Sequence, residues 1–391
     1  MNFADPGLWA SLLFGSTAAV FLAATLSALF HLQWARRLPP LAALPAASET
    51  GEGVWCSVVV AARDEDARIE ETVRHVLAQT GVRVEMIVVD DRSTDRTGDI
   101  LRRLAAADAR VRIERVEALP DGWLGKCHAC HVGAGRAAGE WILFTDADCW
   151  LKTDVVARAL RVAARDAADH VTLTPGVAPE TLGAKAWHLA FLASLANWFS
   201  GVNRDRPKAY LGVGAFNLVR AAAYRECGGY EALRLTVVDD MKLGRLLRRA
   251  GFRTRGFIGG DDVECHWGTT LRGMVKIMEK NYFAAIGFRL GVALAGGVVA
   301  TVLLAAAAIG PFTGTATGAA AGLAALSMAI PAGVVARRLG WPVWTAAATP
   351  FIYPVLLYAV MNSTWVTVRQ GGVRWRDTFY PLESLRKGGV P

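Results

Sequence analysis

No formally charged residue falls between Leu8 and Leu32, and the stretch Leu12 to Phe30 is almost wholly apolar or small. At ~1.5 Å per helical residue such a stretch reaches across a hydrocarbon core of ~30 Å, so it predicts a spanning helix. Asp5 precedes it without Lys or Arg, and Arg36 and Arg37 follow it at once. A secretory signal has the opposite polarity. Residues 1–37 therefore read as an uncleaved anchor with its N-terminus outside and the following residues in the cytoplasm. The Ala-Pro-rich stretch from Leu38 to Ala47 makes 38–53 a linker. Apolar blocks return at Ala284 to Gly310, Phe312 to Ala336 and Trp341 to Trp365, within 283–366. The tail, 367–391, is basic and aromatic, with Arg369, Arg374, Trp375, Arg376 and Tyr380, which places it in the cytoplasm as well. Three crossings from the inside would leave that tail outside, so one block is expected not to cross. Pro350 and Pro354 make the last block the candidate for a broken or re-entrant hairpin. A shorter apolar patch, Trp187 to Phe199, encloses His188 and fits either an amphipathic helix at the membrane surface or a buried core helix.

Between these apolar segments, over 54–282, strand and helix patterns alternate. Cys56 to Ala61 is a β-branched run, Ala67 to Gln79 has helical spacing through Ile69, Val73, Val76 and Leu77, and Val84 to Val89 is a second apolar strand. A helix over Thr94 to Ala107, a strand over Val111 to Val116, a helix over Ala129 to Ala138 and a strand over Trp141 to Thr145 follow. Such alternation predicts an α/β domain, a mostly parallel sheet with helices on both faces and ligands at the carboxyl ends of its strands.

Composition supports the membrane reading. The 391 residues are 53% hydrophobic and 20% charged, and the mean hydropathy is +0.29, which excludes a disordered or collagen-like chain. Much of the +8 net charge sits in Arg36, Arg37, Arg337, Arg338 and the Arg369 to Lys387 tail. There it suits anionic lipid headgroups, so no nucleic-acid partner is needed to explain it. Six scattered cysteines make no disulfide framework.

The strand ends carry the chemistry. The first runs into Ala61-Ala62-Arg63-Asp64-Glu65 and the second into Asp90-Asp91-Arg92-Ser93-Thr94-Asp95. Carboxylates just past parallel strands accept hydrogen bonds from nucleotide N–H and ribose hydroxyl groups, while nearby backbone N–H groups suit phosphate. Ser93, Thr94 or Asp95 also suits a helix cap, which leaves the Asp90-Asp91 pair unexplained. The strand at Trp141 to Thr145 runs into Asp146-Ala147-Asp148, a hard oxygen pair suited to Mg2+ or Mn2+ held together with a diphosphate.

In combination these motifs resemble the family 2 glycosyltransferases, which have the GT-A fold and use nucleotide-diphosphate sugars. The resemblance extends through Gly212-Val213-Gly214-Ala215-Phe216-Asn217, Gly228-Gly229-Tyr230 and Val238-Asp239-Asp240-Met241. It implies that Asp91 binds a uracil-type base edge, with Ala61, Arg63 and Glu65 beside the nucleoside. Asp146 would face the ribose and sugar and share the metal with Asp148. Asp240 would be the general base of an inverting transfer, with Asp239 a candidate diphosphate, metal or acceptor contact. The implied donor is a UDP-sugar, the acceptor a membrane lipid, and the setting a multi-pass protein of the bacterial inner membrane with its catalytic domain in the cytoplasm.

Processive and sphingolipid-type relatives carry Gln/Arg-x-x-Arg-Trp after the base, whereas this chain reads Glu264-Cys265-His266-Trp267-Gly268. That argues against a processive synthase and leaves His266 and Trp267 as either diphosphate, metal or acceptor contacts or structural residues. The stretch Leu119-Pro120-Asp121-Gly122-Trp123-Leu124-Gly125-Lys126 looks most like the hopanoid-associated glycosyltransferases, relatives of ceramide glucosyltransferase. Lys126 would then neutralise donor phosphate as a point charge. A polyprenyl phosphate is the alternative acceptor. Cys127-His128-Ala129-Cys130-His131 is a literal c-type haem attachment pattern, and would make an electron carrier of Cys127, Cys130 and His131. Attachment chemistry belongs outside the cytoplasm, and small buried cysteines at a helix start are ordinary core residues.

Overall fold

The computed structural model describes residues 5–44, 53–266 and 268–390. The chain forms two compact units, each assembled from separated segments: Ala35–Ala178, Trp198–Trp267 and Glu383–Pro391 in one, Met1–Trp34, Pro179–Asn197 and Gly268–Leu382 in the other. The expected linker falls mostly outside the described residues, since only 38–44 and 53 of it are described.

The first unit is the α/β unit. Its strands are β1 (Trp55–Ala62), β2 (Arg83–Asp91), β3 (Val111–Val116), β4 (Trp141–Asp146), β5 (Cys149–Leu151), β6 (His170–Val177), β7 (Asn217–Arg220) and β8 (Thr254–Cys265). They form one sheet in the order β3-β2-β1-β4-β7-β6-β8-β5. Val58, Val59 and Val60 of β1 and Met86 to Val89 of β2 are fully buried in unbroken runs, as strands covered on both faces require. β1 to β4 are parallel neighbours, whereas β7 runs antiparallel to β4 and β6 and β5 antiparallel to β8, so the sheet is mixed beyond β4. Register sets Ala61 opposite Asp146 and Ala62 opposite Asp90. The carboxyl ends of the three central strands thus open at one level.

Two helix starts differ from the pattern, and both differences belong to the site. The helix expected from Thr94 begins at Thr97, because Ser93 N–H donates to Asp90 Oδ1 at 3.1 Å and Thr97 N–H to Asp95 Oδ1 at 2.9 Å, which holds the intervening residues as a loop. The helix expected from Ala129 spans Gly125–Arg136. A buried ion pair, Arg158 with Asp262, fastens the helix Val155–Arg165 to β8, Nη1 lying 3.2 Å from Oδ2.

The second unit is helical. Pro6–Leu32, Leu290–Thr313, Ala316–Arg338 and Val343–Gln370 are each long and apolar enough to cross a membrane. All three C-terminal blocks meet that length and apolarity, the proline-bearing one included: Pro350 lies in a 3-10 stretch, Val343–Ile352, that runs on into the helix Tyr353–Gln370. Several polar side chains inside the unit are paired, as an apolar surround favours. Thr25 Oγ1 meets Ser327 Oγ at 2.8 Å, and Ser363 Oγ donates to Glu279 O at 2.6 Å while accepting from Phe283 N–H at 3.0 Å. The Trp187 to Phe199 patch does not form a surface helix. Over Leu182–Ser194 it is a buried one, with Trp187 stacked on Tyr282 at 6.3 Å and His188 against Trp341 at 5.7 Å.

Candidate active site

The ends of β1 and β2 are laced into one loop system. Asp64 and Arg92 both adopt left-handed backbone, φ 53° and 59°, which Asp tolerates through local hydrogen bonds and Arg only when its surroundings fix it. Asp64 N–H donates to Ser93 Oγ at 3.0 Å, Glu65 N–H to Thr97 Oγ1 at 2.8 Å, Asp66 N–H to Asp95 Oδ2 at 3.1 Å, and Thr94 N–H to Asp64 Oδ1 at 2.8 Å. The Ser-Thr-Asp run therefore does more than cap a helix: it ties the Arg63 to Glu65 turn to the Asp90-Asp91 turn. Buried Asp91 takes a two-point contact from its neighbour, Arg92 Nε on Oδ1 at 2.7 Å and Nη2 on Oδ2 at 3.0 Å. Gly125 lies directly on this pair, where a side chain would collide with Asp91 Oδ2.

One residue on, Lys126 Nζ reaches Asp146 Oδ1 at 2.6 Å. Burial disfavours the ammonium, yet the Asp146, Asp239 and Asp240 carboxylates around it hold its pKa well above the usual lysine value. Lys126 is thus a partly buried cation among three carboxylates. Gly214 closes the other side: a Cβ there would stand 2.8 Å from Asp146 Oδ2 and 3.2 Å from Lys126 Nζ. Its N–H donates to Asp240 Oδ2 at 2.8 Å, while Met241 N–H donates to Asp240 Oδ1 at 2.7 Å. Asp240 sits in the first turn of the helix Asp239–Arg249, where the exposed backbone donors favour an anion. Burial and then the adjacent Asp239 nonetheless push its pKa up to about 6, against the pull of Lys126 and the two N–H donors. Asp239 itself is buried and accepts from Tyr230 Oη at 3.0 Å.

Asp148 is a carboxylate among carboxylates. Burial first, then Asp146 and Glu65, push its pKa up to about 7, with Arg68 opposing. Such a group is stabilised by a divalent cation, and its hard oxygens fit Mg2+ or Mn2+. The site differs from the expected two-carboxylate pair in that Lys126 already engages Asp146 Oδ1, so Asp148 is the carboxylate better disposed to a metal. His266 N–H donates to Asp148 O at 3.1 Å, and the His266 ring packs on Trp150 at 3.6 Å, so the histidine is built into the wall beside Asp148. Trp267 lies outside the described residues.

The Cys-x-x-Cys-His pattern divides between two environments. Cys127 and Cys130 are buried, Cys127 Sγ lying 3.5 Å from Thr236 O, and burial pushes the Cys130 thiol up to about 12. His128 and His131 both pack on Trp123, at 5.4 and 5.0 Å. The cysteines are core residues here. Sequence reasoning gave Gly125 and Gly214 no role of their own although both lie in the motifs that carry the resemblance, and it missed the bond between Cys149 and Cys265, 116 residues apart.

A mixed sheet whose acidic strand ends gather around one cleft is the GT-A fold. Residues 57–228 match the family model described as glycosyl transferase family 2. The chain is 26% identical over 231 residues to a 4,4'-diaponeurosporenoate glycosyltransferase of Staphylococcus haemolyticus (strain JCSC1435), covering 56% of this chain and 60% of that protein. It is 36% identical over 101 residues to the protein of the same name in Staphylococcus aureus (strain USA300), 26% of each chain. The matches thus span less than two thirds of these relatives. Among solved structures it resembles mannosyltransferase PcManGT from Pyrobaculum calidifontis, in complex with GDP-Man and Mn2+. The TM-score is 0.56 at 18% identity, covering 88% of this chain and 99% of that one, a likeness of fold.

Proposed function

We propose that this chain is a membrane-bound, metal-assisted glycosyltransferase that moves a sugar from a nucleotide-diphosphate sugar to a lipid acceptor in a single inverting displacement. The observation that carries this reading is the position of Gly214, which bonds Asp240 and has no room for a side chain beside Asp146. Its N–H holds Asp240, and its Cα faces the Asp146–Lys126 pair. In this reading the Asp91–Arg92 pair reads the base edge, with Ala61, Arg63 and Glu65 beside the nucleoside, and Asp146 faces the ribose and sugar. Lys126 sets its positive charge beside the departing diphosphate. Asp148, with Mg2+ or Mn2+ bound, would hold a cation that offsets charge developing on that leaving group. Asp240 takes the acceptor's hydroxyl proton as the acceptor oxygen bonds to the anomeric carbon and the diphosphate oxygen leaves from the opposite face. A pKa near 6 suits that task, being low enough to leave the carboxylate ionised at neutral pH and higher than an ordinary aspartate's.

The acceptor is a long apolar lipid. The hopanoid-like stretch around Trp123 supports a polycyclic alcohol, and the relatives' names support a carotenoid acid; a polyprenyl phosphate is the third candidate. A UDP-sugar is the first donor to test, and the setting is the bacterial inner membrane with the α/β unit in the cytoplasm. The test is incubation of the purified full-length chain with a panel of nucleotide sugars, Mg2+ or Mn2+ and these lipids, with mass analysis of the extract. A new hexose-bearing lipid is the expected result, and its absence for every donor with every acceptor overturns the reading.

A further inference from the structure

Immediately after Asp148 the chain enters β5, and Cys149 stands directly across from Cys265 of β8, the two bonded as a disulfide with Cα atoms 4.4 Å apart. Cys149 Sγ lies 3.8 Å from Asp148 Oδ1. The Asp148 oxygen and both sulfurs all fall within 4.8 Å of one another. The backbone keeps them there independently of the sulfur–sulfur bond. The β5–β8 ladder pairs Cys149 with Cys265, and His266 N–H holds Asp148 O at 3.1 Å. Opening the disulfide therefore leaves the three ligands assembled. Two thiolates and a carboxylate are a donor set for a thiophilic ion, whereas a disulfide offers such ions little and Mg2+ favours oxygen alone.

We propose that Asp148, Cys149 and Cys265 form a thiol-gated metal site. While the sulfurs are bridged, the Asp148 oxygen is left to the Mg2+ or Mn2+ of sugar transfer. Once they are reduced, the trio binds a thiophilic divalent cation, Zn2+ foremost, and withdraws Asp148 from the reaction. The gating rests on the metal-assisted reading above, while the reduced thiol site stands independently of it. Two equivalents of a small thiol break the Cys149–Cys265 bond, place one proton on each sulfur and leave as their own disulfide. Zn2+ binding then sends both protons to solvent. Both sulfurs are buried, but β5 has three residues and is the edge strand of the sheet. It is the segment whose local opening admits a small reductant at least cost.

The experiment uses the full-length chain in detergent micelles, oxidised or thiol-reduced and then freed of reductant, with Co2+ as an optical probe for Zn2+. The reduced wild type is expected to show sulfur-to-cobalt charge-transfer absorption, abolished by Zn2+ and absent from the oxidised wild type and from Cys149→Ser and Cys265→Ser. Mn2+ binding, followed by its paramagnetic resonance, is expected to weaken by at least about tenfold with equimolar Zn2+ in the reduced protein and to be unaffected in the oxidised one. The wild type carries the test even if a variant fails to fold, because its two samples share one sequence. No charge-transfer band on reduction overturns the site, as does an undiminished band in both serine variants, which would assign it to other cysteines. Mn2+ binding to neither form overturns the metal-assisted reading and the gating with it, while the cobalt band still decides the thiol site.

Discussion

Replacing Asp240 by Asn separates the acceptor classes. The wild-type carboxylate accepts two backbone hydrogen bonds, from Gly214 N–H at 2.8 Å and Met241 N–H at 2.7 Å. An amide offers one oxygen, so one N–H loses its partner, at a cost of ~1–3 kcal/mol in stability. Melting should register that loss, and it is too small to unfold the protein. The catalytic loss is distinct. A positioned base contributes ~10²–10⁴-fold, or about 3–5 kcal/mol of barrier, when the nucleophile is an alcohol. A carotenoid acid or a polyprenyl phosphate arrives already ionised and needs no base, so the same variant should lose less than about tenfold with those acceptors. The wild type supplies a second signature. With a pKa of about 6, Asp240 is ~90% ionised at pH 7 and ~10% at pH 5, so kcat/KM with an alcohol acceptor should fall roughly tenfold over that interval. With Mn2+ kept saturating at every pH, the limb should be missing in Asp240→Asn. Turnover is measured by radiolabelled sugar transfer to defined lipids, with nucleotide binding followed by calorimetry and expected to be nearly unchanged. Full activity of Asp240→Asn on an alcohol acceptor, or an acid limb that survives the substitution, would refute the assignment.

Gly214→Ala places a methyl 2.8 Å from Asp146 Oδ2, and donor KM should rise by about tenfold or more because the Asp146–Lys126 pair must shift; an unaltered donor KM removes Gly214 from the site. Asp148 has its folded pKa raised to about 7, above the unfolded value of ~3.9. Its favourable contribution is complete below pH ~4 and lost as pH rises through ~7. Metal-free Asp148→Asn should therefore melt higher than the wild type at pH 8, by on the order of 1–3 kcal/mol, with the difference gone near pH 4. Equal melting at pH 8 would show that Asp148 carries no such strain. Mn2+ affinity, measured by calorimetry, should weaken about tenfold per unit below pH ~7 as protons compete for the same carboxylate. Arg158→Met leaves Asp262 buried without its guanidinium and should cost ~3–5 kcal/mol, with much of that recovered in Arg158→Met/Asp262→Asn; equal melting of the single variant and the wild type would refute it.

The parallel half of the sheet was legible because β1, β2 and β4 are buried on both faces and read as unbroken Val-rich runs that stop at acidic residues. The cleft was legible at the same points, since Asp91, Asp146 and Asp148 follow such runs directly. What periodicity did not carry lies in contacts between distant segments. Lys126 meets Asp146 from twenty residues away, and Gly214 matters for the room it leaves rather than for any group it bears. Cys149 and Cys265 meet only because β5 returns along β8. The apolar patch at Trp187 was ambiguous for a related reason. A helix buried among other apolar helices has no polar face, and hydropathy alone does not distinguish its neighbours from lipid.

The interleaving of the two units has a consequence for synthesis. Residues 179–197 leave the ribosome well before 268–382, the segments with which they share a unit. The helix Leu182–Ser194, most of it buried and apolar, must therefore wait in a nascent chain for partners not yet made. A fragment ending near residue 267 would keep that helix permanently without them. Such a truncation, the usual route to a soluble catalytic domain, should aggregate, whereas the full-length chain inserted during translation should not.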